Sequence, residues 1–374
     1  SDVYKRQSYF GYAENVAEAS EFAGRVRADK EYFDGKRAEM RKIYEDLVQN
    51  LGLETGDANF DQYARVTFMD NVLRGGLPMS FGANGPTLHV FSRKHGDMER
   101  DYNAFQISAT YYSQGNGNFR DVNQNRRNDL FVNPLTGAAN IEIFFNLLQL
   151  DGYNPLVINP VKLRIPKDVL SRLDLNVGEK CKADYHALLK EPVLAGQLYD
   201  FIKKYSDDPL NVNNRFKEIV AASSPVQGVL HGEGFWADHW TYNLDHLDQY
   251  LAVFPDKLSW LLFEKVDFTF FDSDHFVRPR RDKYVITPEG KLRQYNAVIE
   301  HEEKHALING RVVDAHKVRT NNGTGEVFTT DLFTKLLSLA LIKTATFDPF
   351  GVGIEMDADK PGWCDALNGL PGIF

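Results

Sequence analysis

Apolar residues near the start of the chain recur at helical spacing. Val16, Phe22, Val26, Phe33, Met40, Ile43, Tyr44 and Leu47 punctuate a charged, proline-free stretch. That pattern predicts one or two long amphipathic helices over residues 12–51. A break at 52–59 precedes another helix over 60–73, stopped by Gly75, Gly76 and Pro78. Between 86 and 134 the runs are short and interrupted by Gly and Asn, which predicts mostly loop with a short strand near 87–91. An apolar helix is expected at 141–150, an irregular proline-punctuated stretch at 154–185, and a helix at 198–205. Trp240, Leu244, Leu247 and Leu251 then repeat at helical spacing. Residues 331–346 are apolar on nearly every side, through Leu332, Phe333, Leu336, Leu337, Leu339, Leu341 and Ile342. Such a helix is expected to be buried among other helices. A short strand and turn are expected at 283–291. The pattern describes a mostly α protein whose helices are joined by long polar loops, with no residue-level repeat.

Composition narrows the function classes. The 374 residues are 43% hydrophobic and 25% charged, ordinary for a globular chain with ample core. A net charge of −9 without a basic block argues against nucleic acid as partner. The two cysteines, Cys181 and Cys364, form no disulfide framework or metal spacing, so a reducing, cytoplasmic location is expected. The longest apolar stretch, 332–347, contains Lys335 and Lys343 and is too short and charged to span a bilayer. Residues 1–7 read as a sequencing scar, and the lack of a closing element after Phe374 reads as a fragment.

Three polar runs carry candidate chemistry. Residues 361–372 place Trp363 and Asp365 in a Gly/Pro-bounded loop. An indole face beside a carboxyl group suits a pyranose, since the ring stacks on its C–H face and the acid can protonate a glycosidic oxygen. The plainer alternative is a loop with a Trp anchor. Residues 115–129 gather Asn, Gln, Arg and Asp side chains, whose planar bidentate groups match sugar hydroxyls. An ordinary polar surface loop is the alternative. Residues 231–245 lead from glycines into the Trp240 helix with Glu233, Trp236 and Asp238 among them, and read either as a cleft at a loop–helix junction or as Trp anchors before a polar helix start.

His301-Glu302-Glu303-Lys304-His305 formally satisfies the H-E-x-x-H zinc pattern. The intervening residues are charged rather than apolar, and Ile308 and Arg311 stand where the extended form has Gly and His. A solvated helix face is expected there and no metal site.

Taken in order, Arg-Asp-Val-Asn-Gln at 120–124, Gly-Glu-Gly-Phe-Trp-Ala-Asp-His-Trp at 232–240 and Pro-Gly-Trp-Cys-Asp-Ala-Leu-Asn-Gly at 361–369 resemble inverting glycoside phosphorylases of the cellobiose phosphorylase type. The chain is most similar to their β-1,3-oligoglucan phosphorylase relatives. The resemblance covers residues 60–374. It implies part of an (α/α)6 barrel catalytic domain over 59–374, truncated at its C-terminal side, preceded by a helical linker over 8–58. It assigns Asp365 as general acid and Trp363 as a wall of the −1 sugar subsite. Arg120, Asp121, Asn123 and Gln124 would hold the same sugar, with Glu233, Trp236 and Asp238 as further substrate contacts. Cys364 replaces the family's Asn, and Asn125 replaces the last Asp of its sugar loop, a departure that points away from cellobiose toward β-1,3 glucans.

The implied reaction is phosphorolysis with inversion of a β-glucan oligosaccharide, giving α-glucose 1-phosphate and a shortened glucan. Inorganic phosphate is the co-substrate, and no other cofactor is expected. The phosphate-binding residues would lie beyond position 374. An inverting hydrolase on the same barrel, with Glu233 or Asp238 as water-activating base, is the alternative. A non-catalytic glucan-binding protein is a third class and a zinc peptidase a fourth. The expected partners are oligosaccharide and phosphate, with no nucleic acid and no membrane; a homo-oligomer stays open.

Overall fold

Asn15 opens the first helix, its side-chain oxygen accepting the Glu18 backbone N–H at 2.9 Å. In the computed structural model, α1 (Val16–Ala28) and α2 (Tyr32–Val48) are two separate helices. The structure describes residues 13, 15–29, 31–82, 85–93, 110–169, 179–206, 208–230, 237–294 and 298–345. The chain divides into two compact units, Ser1–Asp70 and Asn71–Phe374. The division falls inside α3 (Ala58–Gly75), twelve residues later than the 58/59 boundary expected from sequence. In the first unit, Arg65 pairs with the Glu45 carboxylate and lies 6.0 Å from the Tyr44 ring.

The second unit is mostly helical, with several small antiparallel sheets. Gly76 ends α3 at φ +89, where a Cβ would lie 2.7 Å from His89 backbone and side-chain carbons. The chain can therefore turn directly into β1 (Leu77–Ser80), which pairs with β2 (Thr87–Val90), Leu77 opposite Val90. One core gathers Leu88, Val90, Tyr112, Leu163, Leu198 and Phe216. In it β5 (Lys162–Arg164) lies between β6 (Val193–Leu194) and β7 (Ser224–Val226), with α8 (Ala195–Lys204) and α9 (Pro209–Ala222) against them. The Tyr112 and Phe216 rings stack at 4.6 Å.

A second core holds Phe119, Val122, Phe144, Phe145, Tyr250, Phe268, Leu332 and Leu339. It is built from α4 (Phe119–Arg126), α6 (Ala139–Asn146), α10 (Ala237–Val253) and α12 (Leu332–Ala345). The intervening helices are α5 (Asp129–Val132), α7 (Glu179–Leu188) and α11 (Glu302–Asn309).

Two expectations are corrected here. Residues 119–126 form a helix rather than loop, because Phe119, Val122, Asn123 and Arg126 are buried at i, i+3, i+4 and i+7. Two of those four are polar, which hides the period from an apolar count. Secondly, α12 is not buried all round. Leu332, Lys335 and Leu339 are fully buried, while Phe333, Leu337 and Leu341 are exposed, Leu341 by 61%. The helix is amphipathic in its packing though not in its composition. Among the described residues, no helix is long and apolar enough to cross a membrane.

Candidate functional site

A three-stranded sheet organises the polar runs. β3 (Gly117–Asn118) pairs antiparallel with β4 (Val157–Ile158), and β4 pairs antiparallel with β8 (Val229–Leu230). β3 and β8 therefore run parallel on opposite edges of the sheet, and their C-terminal ends point to the same end of it. From β3 the chain enters α4, which carries residues 120–124. From β8 it enters residues 231–236 and then α10. The segments that lead into α4 and toward α10, more than 100 positions apart, thus leave the same end of one sheet with β4 between them.

Residues on α4 divide by face. Arg120 and Asp121 are half-buried and Gln124 is exposed, all on the outward side. Arg120 Nε donates to Asp121 Oδ1 at 3.1 Å, and Asn125 Nδ2 donates to the Asp121 carbonyl at 2.6 Å. A guanidinium and a carboxylate next to an exposed amide present both donors and acceptors, as sugar hydroxyls require.

Asn123 faces inward and is fully buried. Its Nδ2 donates to Asn243 Oδ1 at 2.6 Å, and its Oδ1 accepts from His246 Nε2 at 2.8 Å. The amide of Asn123 thus ties α4 to α10. Beside it, Arg127 pairs with Asp245 and lies 5.3 Å from the Tyr242 ring. Burial pushes the His246 imidazole down to about 4, with smaller contributions from Asp129, which opposes the fall, and from Arg126 and His89, which add to it. At neutral pH the ring is uncharged and stacks on Phe144 at 5.2 Å.

Behind α4 lies a second buried polar group. Arg126 Nε donates to the Gly75 carbonyl at 2.8 Å, and burial lowers the guanidinium to about 10. His89 Nε2 approaches Asp129 Oδ2 at 2.7 Å, and Asn140 Nδ2 donates to the same oxygen at 2.8 Å. His89 has the geometry of an ion pair, yet burial, with Arg126 adding, holds its basicity below that of ordinary histidine. The contact is a neutral imidazole donating to a carboxylate. Asn243, His246, Arg126 and Asp129 were not singled out from sequence as site residues. The spacing of Asn243, His246 and Tyr250 along α10 was their available signal, masked because two of the three are polar.

Asp238 falls in the first turn of α10. Glu233, Trp236, Trp363 and Asp365 lie outside the described residues, as does Cys364. The zinc-like pattern is laid out differently from a helical metal site. His301 caps α11 from outside, accepting the Lys304 N–H at 3.4 Å, and His305 Nδ1 bonds Asp274 Oδ2 at 2.5 Å. Burial alone would raise the Asp274 carboxyl, but hydrogen bonds from His305 and His275 outweigh it and hold it near 2. Among the described residues, no group of three His, Cys, Asp or Glu could hold a metal ion. No protein-family model matches the chain, and no curated protein matches it.

Proposed function

We propose that this chain carries the sugar-holding part of an inverting β-glucan phosphorylase active site on an (α/α)6 barrel. The observation supporting this most directly is the β3–β4–β8 sheet, in which β3, leading into α4, and β8, ending just before the 231–245 run, point to the same end. In this mechanism the outward face of α4, through Arg120, Asp121 and Gln124, holds the glucosyl unit in the −1 subsite. Asn123 acts one layer below, orienting α4 through Asn243 and His246. Asp365 donates its proton to the leaving glycosidic oxygen while Trp363 stacks on the sugar. Phosphate attacks the anomeric carbon from the opposite face, the C–O bond breaks, and α-glucose 1-phosphate leaves with inverted configuration. An anionic nucleophile needs no second carboxylate as base.

The start of α10 favours one further reading. Asp238, in its first turn, would be the water-activating base of an inverting hydrolase. Phosphate dependence separates the two. Incubating the protein that contains this chain with β-1,3-gluco-oligosaccharides should give glucose 1-phosphate only when phosphate is present. Asp365→Asn should lower that turnover about 10²–10⁴-fold. Equal sugar release without phosphate overturns phosphorolysis in favour of hydrolysis, and near-normal turnover in Asp365→Asn removes Asp365 as the acid.

A further inference from the structure

Beyond Arg120, the seam between α4 and α10 holds a second arginine–aspartate pair. Arg127 follows Arg126 with helical backbone angles, φ −54° and ψ −35°, and so continues α4 by one position. Arg120, Gln124 and Arg127 therefore share one stripe of the helix, at i, i+4 and i+7. On α10, Tyr242 and Asp245 each stand one residue before the buried Asn243 and His246, and so flank the same seam. The Arg120–Asp121 pair lies in the first turn of α4 and the Arg127–Asp245 pair just past its last. Seven helical residues separate the two arginines by about 10 Å along the axis, more than one pyranose ring covers.

Three contacts fix the Arg127 guanidinium. Its Nε donates to the Gln124 carbonyl at 3.0 Å, its Nη1 donates to Asp245 Oδ2, and its carbon lies 5.3 Å from the Tyr242 ring centre. Both charged side chains are nonetheless open to water, Arg127 by 31% and Asp245 by 27%. The atoms beside the contact, Arg127 Nη2 and Asp245 Oδ1, have no partner among the described residues and are not buried, so both meet solvent.

Holding an arginine still at a wet surface costs side-chain entropy, and a half-exposed ion pair offsets little of it. The tie between the two helices is already made by Asn123. What the second pair adds is a fixed donor next to a fixed acceptor, both open to solvent. Sugar hydroxyls, which donate and accept at once, match that arrangement.

We propose that the Arg127–Asp245 pair binds a further glucosyl unit of the β-glucan, beyond the one held at Arg120, and so makes the site favour longer oligosaccharides over the disaccharide. The assignment rests on the phosphorylase reading given above, because that reading places the first glucosyl unit on α4.

Calorimetric titration of the protein that contains this chain, with β-1,3-gluco-oligosaccharides of two to five units, tests it. Wild-type affinity should rise at least 10-fold from the disaccharide to the pentasaccharide. Arg127→Gln and Asp245→Asn should each cut that ratio to about 2-fold or less, with most of the loss on the longer ligands. Arg120→Ala should weaken the whole series and keep the ratio. A ratio in Arg127→Gln equal to that of wild type overturns the proposal. Equal weakening at every length overturns it too, since the pair would then only position α4. Wild type that binds none of the series removes the sugar site itself, and the present assignment with it. Phosphate-dependent turnover with an unaltered ratio in the variants removes this assignment alone. Should Arg127→Gln fail to fold, Asp245→Asn decides.

Discussion

Asn123 and Asn243, 120 residues apart in sequence, are joined by a buried amide–amide hydrogen bond of 2.6 Å. With His246 on the other end of the Asn123 amide, this contact sets the angle at which α4 presents Arg120 and Gln124. An internal amide bonded at both ends fixes rotamer and helix register together, which a Leu at the same place would not do.

Asn123→Ala would leave Asn243 Oδ1 and the His246 Nε2–H without partners. We expect a stability loss of about 2–4 kcal/mol by urea denaturation, against less than about 0.5 kcal/mol for exposed Gln124→Ala. A loss below about 1 kcal/mol would show that the clamp does not bear on the fold.

The imidazole of His246 predicts a pH dependence. Its folded value is about 4, against about 6.5 when unfolded, so the unfolded chain binds more protons between those values. Stability should therefore fall as pH drops from about 6.5 toward 4, by up to about 1.4 kcal/mol per pH unit for this one group. His89, also lowered by burial, acts in the same direction. His246→Gln, which can keep a donor toward Asn123 without titrating, should flatten part of that slope. An unchanged slope would remove His246 from the acid sensitivity.

Lys335 is fully buried on α12, with Nζ donating to the Thr269 carbonyl at 2.7 Å and lying 3.6 Å from the Phe270 ring centre. Burial lowers its proton affinity well below that of an ordinary lysine. Between its folded value and the unfolded one near 10.4, the unfolded chain holds the extra proton, so stability rises with pH across that window. Lys335→Met should be more stable than wild type at pH 7 by about 1–3 kcal/mol. The gap should narrow at pH 10; a gap of constant size would mean the lysine is not desolvated as described.

Arg120→Ala tests the outward face of α4. Affinity for a β-1,3-gluco-oligosaccharide should fall at least about 10-fold, since a charged donor to a bound hydroxyl is worth about 1.5–3 kcal/mol. Stability should change by less than about 1 kcal/mol, because the Arg120–Asp121 contact is partly solvated. Unaltered affinity alongside intact binding by the wild type would remove Arg120 from the subsite.

Helices with apolar faces were readable in the sequence. The paired helices α1 and α2, the stop of α3 at Gly75 and Gly76, and α8, α10 and α12 all follow from apolar spacing and breakers. Elements with polar residues in their buried face were not. On α4, Asn123 and Arg126 complete a face that Phe119 and Val122 only begin. On α10, Asn243 and His246 are buried while Leu244 is 43% exposed, so the inward face is rotated from the one leucines suggest. In α9, Val212, Phe216, Ile219 and Val220 carry a helical period, but Asn211, Asn213 and Asn214 give it the composition of a loop. The sheet β3–β4–β8 was beyond reach for another reason. Two-residue strands from distant positions leave no alternation to detect, and their pairing is decided by tertiary packing.

Phe333, Leu337 and Leu341 lie one turn apart along α12, and Phe263, itself exposed, meets the Phe333 ring at 5.2 Å. Hydrocarbon left in contact with water costs about 25 cal/mol per Å². This apolar stripe favours self-association, so earlier elution from a size-exclusion column as concentration rises is the expected sign of it. Changing Leu337 and Leu341 to Glu or Lys would be the first step toward a well-behaved preparation.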